Sequence, residues 1–417
     1  MHAESGKARD PQEPKAAQGP KAAQDQPRTV RGGVDRRGLL AGGAVLAAGL
    51  GAGAAALALG GSGGGRGPAA PPEQRAFPFH GERQSGVTAP QQPATQLLAL
   101  DLTPAATSDG RAALRGLLGE LTRVLAEASG ADPADARLRG GEPAALSSLV
   151  GVGPELAARL GLNVPAALQT ALPAFAGDRL DPARGGGDLV IQLCAADRWP
   201  LSVVAEQVGE AARAAGATVR WTQSGFLART AGGATPRNLF GFKDGTANPT
   251  AVEAGQWVWG PPGPHEHGTV LVYRRIRMDT AAFAALPGGR REQVMGRRAA
   301  DGSPLTGTAE HDEPDIYTKN PDGSYVIPAT AHVRLSSPRL DGGARMLRRG
   351  YSYDDGPGDR GLLFCAFVRD PAQFTRVQER LAARDALNSF IEHTASAVAY
   401  VLPGAPEGGT LGEGLFS

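Results

Sequence analysis

Apolar positions along this chain follow two periods in turn. Residues 96–102 (QLLALDL) form a short β-type run. Over residues 111–128 the period lengthens, and Leu114, Leu117, Leu118, Leu121 and Leu125 fall on one helical face. Residues 146–152 and 188–195 read as further strands, residues 201–215 as a second amphipathic helix, and residues 218–223 as a closing strand. The second half repeats this order. Residues 269–278 (TVLVYRRIRM) predict a strand, residues 281–286 and 290–298 short helices, residues 361–368 (GLLFCAFV) a strand, and residues 371–384 a helix.

The stretches LVIQLCAADRWPLSVVAEQV and LLFCAFVRDPAQFTRVQERL share a layout: an apolar strand with a Cys, then an Asp, a Pro and an amphipathic helix. That layout points to one unit used twice. Short strands interleaved with helices predict an α+β fold whose sheets are covered on one face. The Gly/Pro-rich GPPGPHEHG sets a boundary near residues 250–268, between an N-terminal domain at 77–250 and a C-terminal domain at 251–417.

The first residues carry a different signal. Residues 1–34 are polar and have no apolar period; then Asp35-Arg36-Arg37-Gly38-Leu39-Leu40 leads into an Ala/Gly/Leu stretch ending near Gly60. Paired arginines before a mildly apolar segment are the twin-arginine export pattern. Residues 1–60 are therefore read as a signal region and residues 61–76 as a flexible linker. Ala56-Leu57-Ala58 offers a small-residue cleavage site, and no Cys follows to carry a lipid. The stretch is too rich in Gly for a convincing membrane span, so the mature chain is expected to have none. A chance Arg pair in a tail, or an uncleaved anchor, are the alternatives. Export by this route delivers the protein to the periplasm or the cell exterior. It carries folded proteins, which raises the expectation of a cofactor loaded beforehand.

Composition narrows the chemistry. The 43 Lys and Arg balance 42 Asp and Glu, which argues against a nucleic-acid binder held by a global positive field. The two cysteines, Cys194 and Cys365, form no CxxC, which excludes a thiolate zinc site and a covalently attached haem. Both lie in apolar runs and read as buried free thiols, with a disulfide as the alternative.

Three segments carry candidate chemistry. In residues 240–249 (GFKDGTANP after Phe240) glycines flank Asp244 in a tight loop, which lets backbone approach a flat ligand; a plain Asp-Gly turn reads the same way. In residues 331–339 (AHVRLSSPR), read as a short extended stretch, His332 is a possible axial ligand for haem iron. Arg334 and Arg339 suit pairing with propionates. An ordinary hydrogen-bonded histidine is the alternative, and His311 in AEHDEPDIY is its rival. In residues 346–353 (MLRRGYSY) two arginines precede a Gly-Tyr turn, and GLLFCAFV supplies an apolar wall.

Together GFKDGTANP, AHVRLSSPR, LRRGYSY and GLLFCAF resemble, in order and spacing, the dye-decolourising peroxidases, above all the exported deferrochelatase/peroxidase-like branch. FPFHGERQSGVTAPQQ at residues 77–92 and VYRRIRM share that likeness, which spans residues 77–405. The resemblance implies two ferredoxin-like α+β domains, each an antiparallel sheet with helices packed on it. It implies one non-covalent haem b per chain, in the C-terminal domain. His332 would be the proximal metal ligand, with Asp244 and Arg348 as distal catalytic residues and Leu362 and Phe364 lining that face. Gly245, Thr246 and Ala247, with Arg334, Ser337, Pro338 and Arg339, would contact the macrocycle or its propionates. Ser337 departs from the branch's NPR-type signature. The stretch from His332 to Arg348 is short for the branch, which keeps Arg349 as a rival to Arg348.

The implied activity is reduction of hydrogen peroxide at the expense of dyes, phenols or other small organic reductants. A bulky dye requires oxidation at the surface, for which Trp221, Trp257, Tyr351 and Tyr353 are candidates, with aromatic packing as the alternative for each. Two other readings stand beside the peroxidase: release of iron from haem together with iron-uptake components, and a non-catalytic haem carrier or sensor. A homo-oligomer stays open.

Overall fold

The computed structural model describes residues 76–103, 109–139, 145–168, 171–230 and 234–417. Residues 1–75, on which the signal-region reading and all but the last residue of the linker reading fall, lie outside the described residues. The first half contains α1 (Ser85–Thr88), β1 (Ala94–Leu102), α2 (Gly110–Ala128), β2 (Ser147–Val152), α3 (Pro154–Leu160), β3 (Leu189–Ala195), α4 (Arg198–Ala214) and β4 (Ala217–Phe226). The second contains α5 (Ala251–Trp257), β5 (Thr269–Met278), α6 (Thr280–Ala284), α7 (Gly288–Met295), α8 (His332–Leu335), β6 (Leu347–Arg348), β7 (Tyr351–Asp354), β8 (Arg360–Val368), α9 (Ala372–Arg384) and β9 (Ile391–Val401).

Strands lie in the order β4-β1-β3-β2 in the first half and β9-β5-β8-β7 in the second, all antiparallel, with β6 also on β8. Each half is therefore ferredoxin-like, as expected. The halves join where β2 pairs β9 at Gly151↔Val401 and where β4 meets β7 at Phe226↔Ser352. Eight strands thus close a ring, which leaves no long free edge.

The period-2 pattern places each residue on one side of that ring. Leu97 and Ala99 of β1 meet Leu363, Cys365 and Phe367 of β8 in an inner cluster. Leu98 and Leu100 face outward onto Leu114, Leu117, Leu118, Leu121 and Leu125 of α2. Those five leucines are the predicted helical face, and all are 0% exposed. Asp109 caps α2 by accepting from Ala112 N, and Asp197 caps α4 by accepting from Trp199 N. β8 runs so close to β5 that a Cβ on Gly361 would lie 1.9 Å from Ile276 O. Cys194 and Cys365 are buried free thiols. Among the described residues no helix is long and apolar enough to cross a membrane.

One local expectation fails. Residues 332–335 form a single helical turn, not an extended stretch. The buried positions Ala331 and Leu335 are four apart, the helical spacing, and they outweigh the apparent alternation of His332 and Arg334.

Candidate active site

Three segments meet beside the second half's sheet. The first is the Asp244 loop. Phe240 and Phe242 are buried against Phe283, with ring centroids 4.2 and 6.2 Å away. Asn238 Oδ1 accepts from Phe240 N at 3.0 Å and Phe242 N at 3.3 Å, and Asp244 N donates to Pro236 O at 3.0 Å. These anchors leave Asp244, Gly245, Thr246 and Ala247 half-buried. Gly245 has φ +98°, a left-handed conformation that a side chain would strain.

The second segment is α8. His332 Nδ1 lies 2.6 Å from Asp385 Oδ2, while the imidazole is 34% accessible and the carboxylate 1%. Among the described residues His332 Nε2 has no hydrogen-bond partner. Burial lowers the His332 pKa, but the Asp385 carboxylate outweighs it and the net shift is upward. Arg348 adds a lowering influence and Asp244 a raising one, so both charges are felt at this ring.

The third segment is the β6–β7 turn. Arg348 is half-buried, and its Nε is buried without a partner. Next to it, burial first and then the Arg348 charge lower the Arg297 pKa. A Cβ placed on Gly350 would lie 3.3 Å from Leu362 Cδ1 and 3.9 Å from Asp244 Oδ2, so turn, wall and carboxylate are neighbours. Leu362 and Phe364 are half-buried on one face of β8; Phe364 packs on Phe374 at 5.8 Å.

These features fit haem. The imidazole has one nitrogen tied to a carboxylate and the other free, the usual state of a metal-ligating histidine. An orphaned guanidinium nitrogen, a half-buried carboxylate and an apolar wall converge near it.

The other residues singled out in these segments are held by contacts within the protein. Arg334 donates to Ile316 O and stacks 3.8 Å over Tyr325. Ser337 is buried and its Oγ accepts from Arg339 N at 3.3 Å, with Pro338 half-buried behind it. Arg339 is exposed, with Nε 3.2 Å from Glu313 Oε1. Arg349 is buried and donates to Gly86 O at 3.1 Å and to Ala89 O, which fixes α1 rather than reaching the Arg348 side. His311 is 72% exposed, and its Nδ1 lies 3.3 Å from Thr246 O.

The surface role read for three aromatics is corrected. Trp221, Tyr351 and Tyr353 pack inside the ring at 7, 0 and 0% exposure. Trp221 stacks on Tyr273 at 5.3 Å, Tyr351 OH donates to Cys194 Sγ at 3.4 Å, and Tyr353 OH donates to Asp359 at 3.3 Å. Trp257 is half-buried. Sequence reasoning missed Asp385, which lies 53 residues beyond His332 with no local motif, and Asn248, which stands inside a motif already singled out.

A ring of two ferredoxin-like halves with this donor set defines a haem-dependent peroxidase. The chain belongs to the Dyp-type peroxidase family: it matches the N-terminal family over residues 84–227 and the C-terminal family over residues 235–406. It is 38% identical to the "Dye-decolorizing peroxidase" of Thermobifida fusca (strain YX), across 94% of this chain and 99% of that protein. It is 35% identical to the "Deferrochelatase" of Yersinia pseudotuberculosis serotype I, across 79% and 82%. Among solved structures, an oxyferrous complex of DtpA from Streptomyces lividans superposes with a TM-score of 0.77 at 35% identity, covering 83% of this chain and 98% of that one.

Proposed function

We propose that this peroxidase holds one non-covalent haem b per chain, with His332 as the proximal ligand and Asp244 and Arg348 as the catalytic pair. The observation that carries the reading is the proximity of a carboxylate-tied imidazole, a half-buried carboxylate and a guanidinium with an orphaned Nε, the charges of Asp244 and Arg348 both acting on His332. When bound, haem supplies the redox-active iron at which peroxide is reduced.

The protein's share is proton and charge management. Asp244 takes the proton from one peroxide oxygen and delivers it to the other, the leaving oxygen. Arg348 stabilises the negative charge that develops there. Leu362 and Phe364 keep that face apolar and limit water. Gly245, Thr246, Ala247, Ser337 and Pro338 would contact the macrocycle or its propionates. Arg334 braces α8 through Ile316 O and Tyr325, and Arg339 is held by Glu313 at the surface. Asp385 fixes the His332 tautomer so that Nε2 presents its lone pair.

Dyes, phenols and similar small reductants return the electrons. The pair Arg36-Arg37 supports export through the twin-arginine route to the periplasm or beyond. The test is an absorption spectrum of the purified protein before and after peroxide. A Soret band that shifts within the mixing time is expected; a band indifferent to peroxide contradicts the catalytic reading and favours a haem carrier.

The likeness to proteins named deferrochelatase supports a second reading of the same cleft, iron release in iron uptake. Product analysis separates the two. Free protoporphyrin accumulating from haem without peroxide favours iron release.

A further inference from the structure

Asn248 is the penultimate residue of the motif GFKDGTANP, four residues after Asp244. Its side chain meets the backbone of Arg348, a hundred residues away. Asn248 Nδ2 donates to Arg348 O at 2.8 Å, and Arg348 N donates to Asn248 Oδ1 at 2.9 Å. The amide thus reproduces one rung of an antiparallel ladder. The strand it pairs with needs one: β6 is two residues long and is bonded to β8 on its other side.

The surroundings make this contact stiff. Pro249 restricts Asn248 to extended backbone. Directly after it, Thr250 and Glu253 form a capping box that starts α5, and Glu253 pairs with Arg345 at 2.9 Å, three residues before Arg348. On the far side of Arg348, Arg349 N donates to Cys365 O at 2.8 Å and Gln91 Nε2 donates to Gly350 O at 2.8 Å. The backbone is fixed before, at and after Arg348, and the orphaned Nε of its guanidinium belongs to the one side chain this frame presents.

We infer that Asn248 is a positioning residue: it sets the separation between the Asp244 carboxylate and the Arg348 guanidinium, which must act on the two oxygens of one peroxide. The inference rests on the proposed roles of those two residues. Displacement of a reacting group by about 1 Å costs on the order of a hundredfold in rate.

The experiment uses the haem-loaded protein and fluoride, a small anion whose retention in the cleft depends on a cationic hydrogen-bond donor and needs no turnover. Fluoride Kd and the rate of reaction with peroxide are measured in the parent, Asn248→Ala, Arg348→Leu and the double variant. Asn248→Ala is expected to weaken fluoride binding about tenfold, equivalent to ~1.4 kcal/mol, and to slow the peroxide reaction at least as much, with haem content unchanged. The double variant should be no worse than Arg348→Leu alone, because Asn248 acts through that residue. If Asn248→Ala does not load haem, Asn248→Ser carries the same comparison with a shorter donor and acceptor. Parent fluoride affinity and parent rate in a haem-loaded Asn248 variant, with only the melting temperature lowered, overturns the positioning role alone. So does an effect that adds in full to that of Arg348→Leu. Parent behaviour in Arg348→Leu itself overturns the assignment of Arg348 and the inference with it.

Discussion

Asp385 Oδ2 and His332 Nδ1 are 2.6 Å apart, and the carboxylate is locked in place by a second bond, from Leu387 N to Oδ1 at 2.8 Å. A buried carboxylate in this position fixes the imidazole tautomer and raises its basicity as a ligand. Asp385→Ala should weaken haem retention by roughly 10–100-fold, read as the rate of haem transfer to a scavenging apo-globin. Asp385→Asn, which keeps the shape, should fall between that variant and the parent. Unchanged transfer in both would show that the contact is only structural.

The proposed function assigns the neighbouring arginines different roles. Arg348→Leu and Asp244→Asn should each slow the reaction with peroxide in stopped-flow mixing while haem stays bound. Arg349→Leu should instead lower stability by about 2–3 kcal/mol, because it strips bonds to buried carbonyls on α1. An Arg349 variant that is slow with peroxide and normal in stability would exchange the two roles.

His393 makes stability depend on pH. Burial first, and then the Arg274 charge, depress its pKa from 6.5 to about 4, against the opposing pull of Asp178 3.9 Å away. The unfolded chain takes up this proton near pH 6.5, before the folded protein does. The contribution is therefore complete above about 6.5 and is lost as pH falls toward 4, by about 3 kcal/mol in all. Urea denaturation between pH 7 and 4 should show that loss, and His393→Gln should flatten it. A slope that survives in His393→Gln assigns the effect to another group.

Export should need Arg36 and Arg37 together. Lys at both positions keeps the charge and removes the guanidinium pair, so the protein should stay in the cytoplasm on cell fractionation. Undiminished export of that double variant would contradict the twin-arginine reading.

Where the sequence pattern was decisive, packing obeyed it: the five leucines of α2 fall on one core, and the apolar run of β5 is buried on both faces, Val270 and Val272 on the outer side and Leu271 and Tyr273 inside the ring. His332, Asp244 and Arg348 could be singled out as candidates because each sits in a short motif. Their supports were less legible. Asp385 pairs with His332 across 53 residues, and Asn248 with Arg348 across a hundred, and nothing in local spacing encodes such pairings. Arg349 stayed equivalent to Arg348 until β8 fixed which side each backbone presents. Tyr351 and Tyr353 looked like surface residues because ring closure, which buries them, is a property of both halves together.

The central claim is that His332 alone among the histidines holds the iron. The most direct measurement is haem stoichiometry in purified His332→Ala and His311→Ala. The account expects His332→Ala to carry little or no haem and His311→Ala to match the parent. A His332→Ala protein with parent haem content and an unchanged ligand-field spectrum would contradict it.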